Sequence, residues 1–160
     1  MSIESVRPQL PALPVLAQLS VGEVVFTREI EVSRDRLVRY AGASRDFNPI
    51  HYNDAVATDV GLPGVIAHGM LTMGLAGSAL TDWLLEQDAA SAPSRLARYG
   101  TRFSRPIPVP AIGGVDLTIT GTLGAVDLSD DAGAPCVRID LRAEALGVTV
   151  LAKAQVLVRV

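Results

Sequence analysis

The chain has little from which to build a metal, redox or disulfide site. Its 160 residues include one cysteine and two histidines. A single cysteine, Cys136, excludes an internal disulfide. Two histidines, a distant cysteine and no closely spaced histidine pair do not form a zinc-ligand pattern, which takes about three or four His, Cys or carboxylate ligands. No Gly-x-Ser-x-Gly elbow marks a serine hydrolase. No Gly-x-Gly-x-x-Gly or phosphate-binding loop marks a nucleotide site. The sequence therefore predicts no metal and no cofactor. Charged residues are only 19% of the chain and the net charge is −3, so the basic footprint of a nucleic-acid binder is missing. No run of about 18–20 apolar residues is unbroken enough to span a membrane. The most apolar stretch, 64–85, contains His68, Asp82 and several glycines. No basic start leads into an apolar run, so no signal peptide is evident. A soluble, cytoplasmic protein is expected.

What is present is apolar and patterned. Hydrophobic residues make up 49% of the chain, enough for one ordinary domain with a sizeable core. Residues 1–20 carry Pro8, Pro11 and Pro14 without clear periodicity, and are expected to be an extended or loosely attached arm before a domain at 21–160. Val24, Phe26, Ile30 and Val32 alternate with polar residues, which predicts a strand that Arg28 interrupts. Ser33 suits a helix N-cap, with a short helix ending near Gly42 or Ser44. Turn and breaker signals fill 45–63, including Asn48-Pro49, Asn53-Asp54 and Pro63. Met70 to Leu85 lacks proline and is apolar nearly all round, which predicts a buried helix over 69–86. Small residues on it, Gly74 and Gly77 among them, let a sheet or a ligand approach the helix backbone. Period two returns after Pro93: Ala97 to Phe103, Val115 to Ile119, Val137 to Ala143 and Val148 to Val158. Cys136 opens the third of these runs and is expected in the core. One strand, a short helix, a long helix and four strands predict an α+β domain, a curved antiparallel sheet wrapped around one central helix.

Both histidines lie in the irregular region before the long helix. His51 follows Asp46 by five residues across an Asn-Pro turn. A carboxylate and an imidazole on one loop can converge on a single water, one taking a proton while the other orients or returns it. The spacing alone equally allows Asp46 to cap a turn and His51 to be a satisfied loop residue. Gly69 stands where the long helix should begin, among backbone N–H groups without intrahelical partners and at the positive end of the dipole. A developing oxyanion can be held there. A tight entry into the helix explains the glycine as well.

Three segments together carry a family resemblance: Tyr40-Ala-Gly-Ala-Ser44, Asp46-Phe-Asn-Pro-Ile-His51 and Gly64-Val-Ile-Ala-His-Gly-Met-Leu-Thr-Met73. They resemble the MaoC-like group of hot-dog-fold proteins, which includes (R)-specific enoyl-CoA hydratases and (3R)-hydroxyacyl-ACP dehydratases. The likeness is strongest to the catalytic subunit of mycolic-acid-type dehydratases. It implies a hot-dog fold with Asp46 and His51 as the catalytic dyad and the Gly69 N–H as the oxyanion donor. Asn48 and His68 match as residues that shape the site or position substrate. The resemblance further implies an acyl-CoA or acyl-ACP thioester substrate, and a homodimer or a heterodimer with another hot-dog subunit. The arm at 1–20 and an insertion-like segment from Glu86 to Pro93 depart from the pattern. Two other readings of the fold are a non-catalytic acyl-binding subunit and a hot-dog thioesterase. The acidity of ACP makes Arg98, Arg102 and Arg105 a docking patch, though the phosphates of CoA suit the same arginines.

Overall fold

A computed structural model describes residue 10 and residues 13–160. Five strands form one antiparallel sheet: β1 (Val24–Ser33), β2 (Leu96–Phe103), β3 (Gly114–Ser129), β4 (Pro135–Ala145) and β5 (Val148–Arg159). Their order in the sheet is β1-β3-β4-β5-β2. The meander β3-β4-β5 follows from short turns between alternating runs, and its inward residues Leu117, Ile119, Ile139, Ala143, Val156 and Val158 are fully buried. Cys136 is buried with them, as expected of a small core residue.

In β5 the alternation breaks. Leu141 faces Ala154 while Ala143 faces Leu151, so β5 carries an extra residue there. Lys153 adopts a left-handed conformation (φ 51°) at this bulge. A second extra residue follows, since Ala143 faces Leu151 while Glu144 faces Thr149, so the even run from Val148 to Val158 expected from the sequence is interrupted twice and Ala152 is only half-buried.

The long helix is α4 (Gly69–Gln87). It buries Leu71, Thr72, Ala76, Ala79, Leu80, Trp83 and Leu84 against the sheet, and Trp83 stacks on Phe26 of β1 with ring centroids 6.1 Å apart. Expectation and structure differ in one respect: the helix is buried on one face only. Met70 and Leu85 are exposed. The small residues serve packing. Ala76 and Ala79 meet the sheet, and a Cβ at Gly77 would lie 3.1 Å from the Tyr99 ring of β2. Tyr99 donates to the Met73 carbonyl at 3.0 Å, tying β2 to α4. Burial pushes the Tyr99 phenol up to about 12.

The remaining helices are short: α1 (Pro14–Ala17), α2 (Arg34–Ser44), α3 (Asp54–Asp59) and α5 (Ala92–Arg95). Ser33 caps α2 as the sequence predicts, its hydroxyl accepting from Arg36 N–H. The expected extended arm needs correcting where it is described. Pro14 starts a helical turn that places Leu13 and Leu16 in the core, so apolar burial ties this part down. Residues 1–9 and 11–12 of that arm lie outside the described residues. The insertion-like segment after Glu86 is anchored by Arg95, which is fully buried and paired with Asp88 at 2.8 Å. Arg28, the residue that interrupts the apolar side of β1, forms a forked pair with Glu86 at 2.7 and 2.8 Å. No helix among the described residues is long and apolar enough to cross a membrane.

Candidate active site

Three extended or turn segments lie side by side at the start of α4. Residues 65–67 form the middle one. Ala67 N–H donates to Ile107 O and Val109 N–H to Val65 O, each at 2.9 Å, around an isolated Ile66–Pro108 bridge. The proline connector 106–110 thus acts as a strand. Its central proline sits where the pairing asks for no N–H. Ile66 turns its own N–H and C=O to the other side. The N–H donates to Ile50 O at 3.2 Å, and the carbonyl receives the His51 ring at 2.8 Å.

Local chemistry gives the 46–51 loop its shape. Arg45 ends α2 in a left-handed conformation, φ 61°. The Ser44 hydroxyl donates to Tyr40 O at 2.8 Å and accepts from Asp46 N–H at 3.2 Å. The Asp46 carboxylate accepts from Asn48 N–H at 3.2 Å. Asn48 Oδ1 accepts from Ile50 N–H at 3.2 Å and caps a 3₁₀ turn, Pro49–His51. Asn48, expected to shape the site or position substrate, caps the turn that carries His51.

His51 is 8% exposed and His68 is 1% exposed, and their rings stack 3.8 Å apart at 23°. The Ile66 carbonyl only accepts, so His51 Nδ1 carries the hydrogen, and in the neutral ring Nε2 is the acceptor. His68 Nε2 lies 3.1 Å from the Asp46 carbonyl oxygen and donates to it. A carboxylate oxygen of Asp46 and a ring nitrogen of each histidine lie within 4.8 Å of one another. Two groups that each hold one water at about 2.8 Å stand about 4.5 Å apart, so this spacing fits a bridging water. The same three groups suit a metal poorly. Lone pairs lie in the ring planes, and nearly parallel stacked rings do not aim them at one point about 2 Å away. Burial pulls the His68 pKa below its ordinary 6.5, the Asp46 carbonyl opposes this, and the neighbouring His51 reinforces it.

A cleft of about 330 Å³ opens beside this pair. His51, Gly69, Thr72, Phe103 and Arg105 are among its walls. Gly69 is the first residue of α4, so its N–H has no intrahelical partner. Phe103 packs close to this glycine: a Cβ would lie 3.1 to 3.3 Å from that ring. Asp46 is thus brought beside His51, and His51 shares the cleft wall with Gly69; Asp46 itself is not on that wall. His68 is not on the wall; it lies behind His51.

A bracket outside the motif was missed by sequence reasoning. Arg34 donates to Val109 O at 2.7 Å and forks onto Asp54 at 2.8 and 3.1 Å. Asp54 in turn accepts from Val65 N–H at 3.0 Å. The Arg34 guanidinium holds the Asp54 carboxyl below the usual range, with help from the Val65 N–H. Asn53, which caps α3 by accepting from Ala55 and Val56 N–H, was the one local signal near it.

The MaoC like domain family matches residues 17–127. The chain belongs to this family. Relatives bear names from one area of chemistry. The chain is 35% identical over 86 residues to the 3-hydroxyacyl-thioester dehydratase X of Mycobacterium tuberculosis, a match covering 54% of this chain and 28% of that protein. It is 39% identical over 59 residues to the enoyl-CoA hydratase ChsH3 of the same organism, covering 37% and 19%. Among solved structures, a MaoC-like dehydratase aligns with a TM-score of 0.75 at 33% identity over 89% of this chain and 41% of its own. The (R)-hydratase of A. caviae involved in PHA biosynthesis aligns with a TM-score of 0.66 at 23% identity, covering 89% and 98%, and shares the fold. The matches thus span well under half of the first three proteins. The α+β hot-dog architecture expected from the motifs is the one found.

Proposed function

We propose that this MaoC-like domain is an (R)-specific hydratase or dehydratase, a hydro-lyase interconverting trans-2-enoyl and (3R)-3-hydroxyacyl thioesters. One observation carries the reading. The bond from His51 Nδ1–H to Ile66 O leaves Nε2 as the acceptor of the neutral ring, a carboxylate oxygen of Asp46 lies within 4.8 Å of a His51 ring nitrogen, and His51 shares a cleft wall with Gly69. In hydration, a water held between Asp46 and His51 attacks C3. Its proton passes to His51 Nε2, and the π-electron pair moves toward the thioester oxygen. The Gly69 N–H stabilises that oxygen. The dyad then delivers a proton to C2, completing net addition of water; dehydration is the reverse.

The thioester is carried by CoA or ACP. Arg105 on the cleft wall and the exposed Arg98 and Arg102 of β2 suit the phosphates of one or the acidic surface of the other. Among the described residues, no strand lies along the outer side of β1 or of β2. Exposed Phe47, Tyr52, Met70 and Phe103 add apolar surface. These features support pairing with a second hot-dog unit, identical or not. A solved ChsH1-ChsH2 complex of Mycobacterium tuberculosis aligns with a TM-score of 0.68 at 20% identity over 88% of this chain and 97% of its own.

The test is turnover of crotonyl-CoA and longer enoyl thioesters by the wild type, Asp46→Asn and His51→Ala. General acid–base help is worth about 10²–10⁴-fold, so each variant should lose at least about a hundredfold in kcat/KM. Near-wild-type rates in both variants refute the assignment. Free thiol release in place of enoyl loss makes it a thioesterase instead. That outcome is disfavoured by the acidic residues of α4, Asp82 and Glu86, which lie more than three turns from Gly69.

A further inference from the structure

His68 is a buried titratable group beside the dyad with no step of its own in the proposed reaction. We propose that His68 is a positioning residue, whose neutral ring, protonated at Nε2, fixes the Asp46 main chain and backs the His51 ring. This rests on the reading of Asp46 and His51 as the acid–base pair.

The ring makes three directed contacts. Its Nε2 donates to the Asp46 carbonyl at 3.1 Å. One face stacks on His51 at 3.8 Å, and Tyr40 of α2 packs against it edge-on at 4.9 Å and 63°. The His51 ring is held along its own plane by Ile66 O; the stack holds it across that plane. The backbone of His68 adds a third function. As N-cap of α4, its carbonyl accepts from Thr72 N–H at 3.1 Å and from the Thr72 hydroxyl at 3.3 Å. One residue therefore touches the base, holds the residue bearing the carboxylate, and sets the start of the helix at Gly69.

Packing alone does not explain a histidine here. His68 Nδ1 is buried without a hydrogen-bond partner among the described residues. A phenylalanine or leucine would fill the space without that unmet acceptor. The compensation lies in the Nε2–H bond, which only a donor at that reach can make. The neutral form is favoured by burial and by the adjacent His51, whose ring disfavours a second charge.

The experiment pairs His68→Phe, which keeps a flat ring and loses the donor, with His68→Gln, whose side-chain NH₂ restores a donor. Both are assayed on enoyl-CoA beside the wild type and Asp46→Asn. Loss of alignment on the scale of an ångström costs up to about a hundredfold. For folded His68→Phe we expect a ten- to hundredfold fall in kcat with KM little changed, and for His68→Gln recovery of most of that loss. His68→Phe with wild-type kcat, or equal damage in both variants, overturns the proposal. Nitrogen-15 NMR of the wild type gives a readout independent of any variant: His68 should be the neutral Nε2–H tautomer. An Nδ1–H tautomer or an imidazolium at neutral pH also overturns it. If the wild type does not turn over enoyl thioesters, the proposed function fails. The tautomer, with a shift of the Asp46 and Phe47 amide resonances in His68→Phe but not in His68→Gln, still decides the positioning role.

Discussion

Replacing Asn48 by alanine separates a residue that shapes the loop from one that touches substrate. Its Oδ1 accepts from Ile50 N–H at the start of the Pro49–His51 turn. Loss of such a cap costs about 1 kcal/mol, within about 0.5–2. The other ties of the turn remain: His51 N–H to Asn48 O at 3.1 Å, Ile66 N–H to Ile50 O and the His51 ring to Ile66 O. If the whole cap energy fed into misplacement of His51, kcat/KM would fall about fivefold, and at most about thirtyfold at the upper limit. Serine keeps a short side-chain acceptor, so Asn48→Ser should recover both stability and rate. Urea denaturation and kcat/KM on one enoyl thioester measure the two effects. A loss beyond a hundredfold in Asn48→Ala with unchanged stability refutes the cap reading and places Asn48 on the substrate.

Gly69→Ala puts a methyl 3.1 Å from Phe103, a ring that is 54% exposed and free to yield. Stability should stay within about 1 kcal/mol of wild type, while kcat/KM drops at least tenfold because the methyl crowds the cleft; undiminished activity removes Gly69 from the oxyanion role. Gly121→Ala drives a Cβ to 2.4 Å from the buried Phe26 ring, which is pinned by Trp83. Overpacking of this kind costs about 1–3 kcal/mol, and an unchanged urea midpoint would contradict it. Acid should destabilise the fold in two windows. His68 has a folded pKa below 6.5, so the unfolded chain binds its proton first; stability is full above about pH 6.5 and falls as pH drops toward the folded value. Asp130, held down to about 2 chiefly by Arg159, contributes stability above pH 3.8 that is lost as pH falls through about 2. The melting temperature against pH checks both, and His68→Gln should flatten the first.

Local pattern carried the strands of the meander, the long helix and the Ser33 cap, because each is written in side-chain period or in one polar group beside a helix start. The Asp46–His51 spacing and Gly69 were visible in the same way. Four features were not. β2 follows α4 in the chain yet pairs with β5 at the far edge, a choice made by long-range burial. The bulge at Lys153 sits at an ordinary residue with φ 51°, so no glycine announces it. The 106–110 segment looks like a stiff linker, and only its partners at 65–67 make it a strand. Arg34 and Asp54 are common surface residues whose pairing spans two helices. His68 was legible as part of a motif. Its work, gripping the Asp46 carbonyl from behind, needed coordinates.

The strand-like connector has a consequence for how the protein comes to exist. A ribosome releases the Asp46–Gly69 segment long before Ile107 and Val109 can pair with it, and before Val115 can meet Val32. Closing those long loops costs chain entropy that the hairpins β3-β4 and β4-β5 do not bear. The meander can therefore assemble on local contacts, while the reactive end takes its geometry only when residues 106–115 reach back to segments made much earlier. A nascent chain cut short of Pro106 would carry every residue of the dyad and have no site.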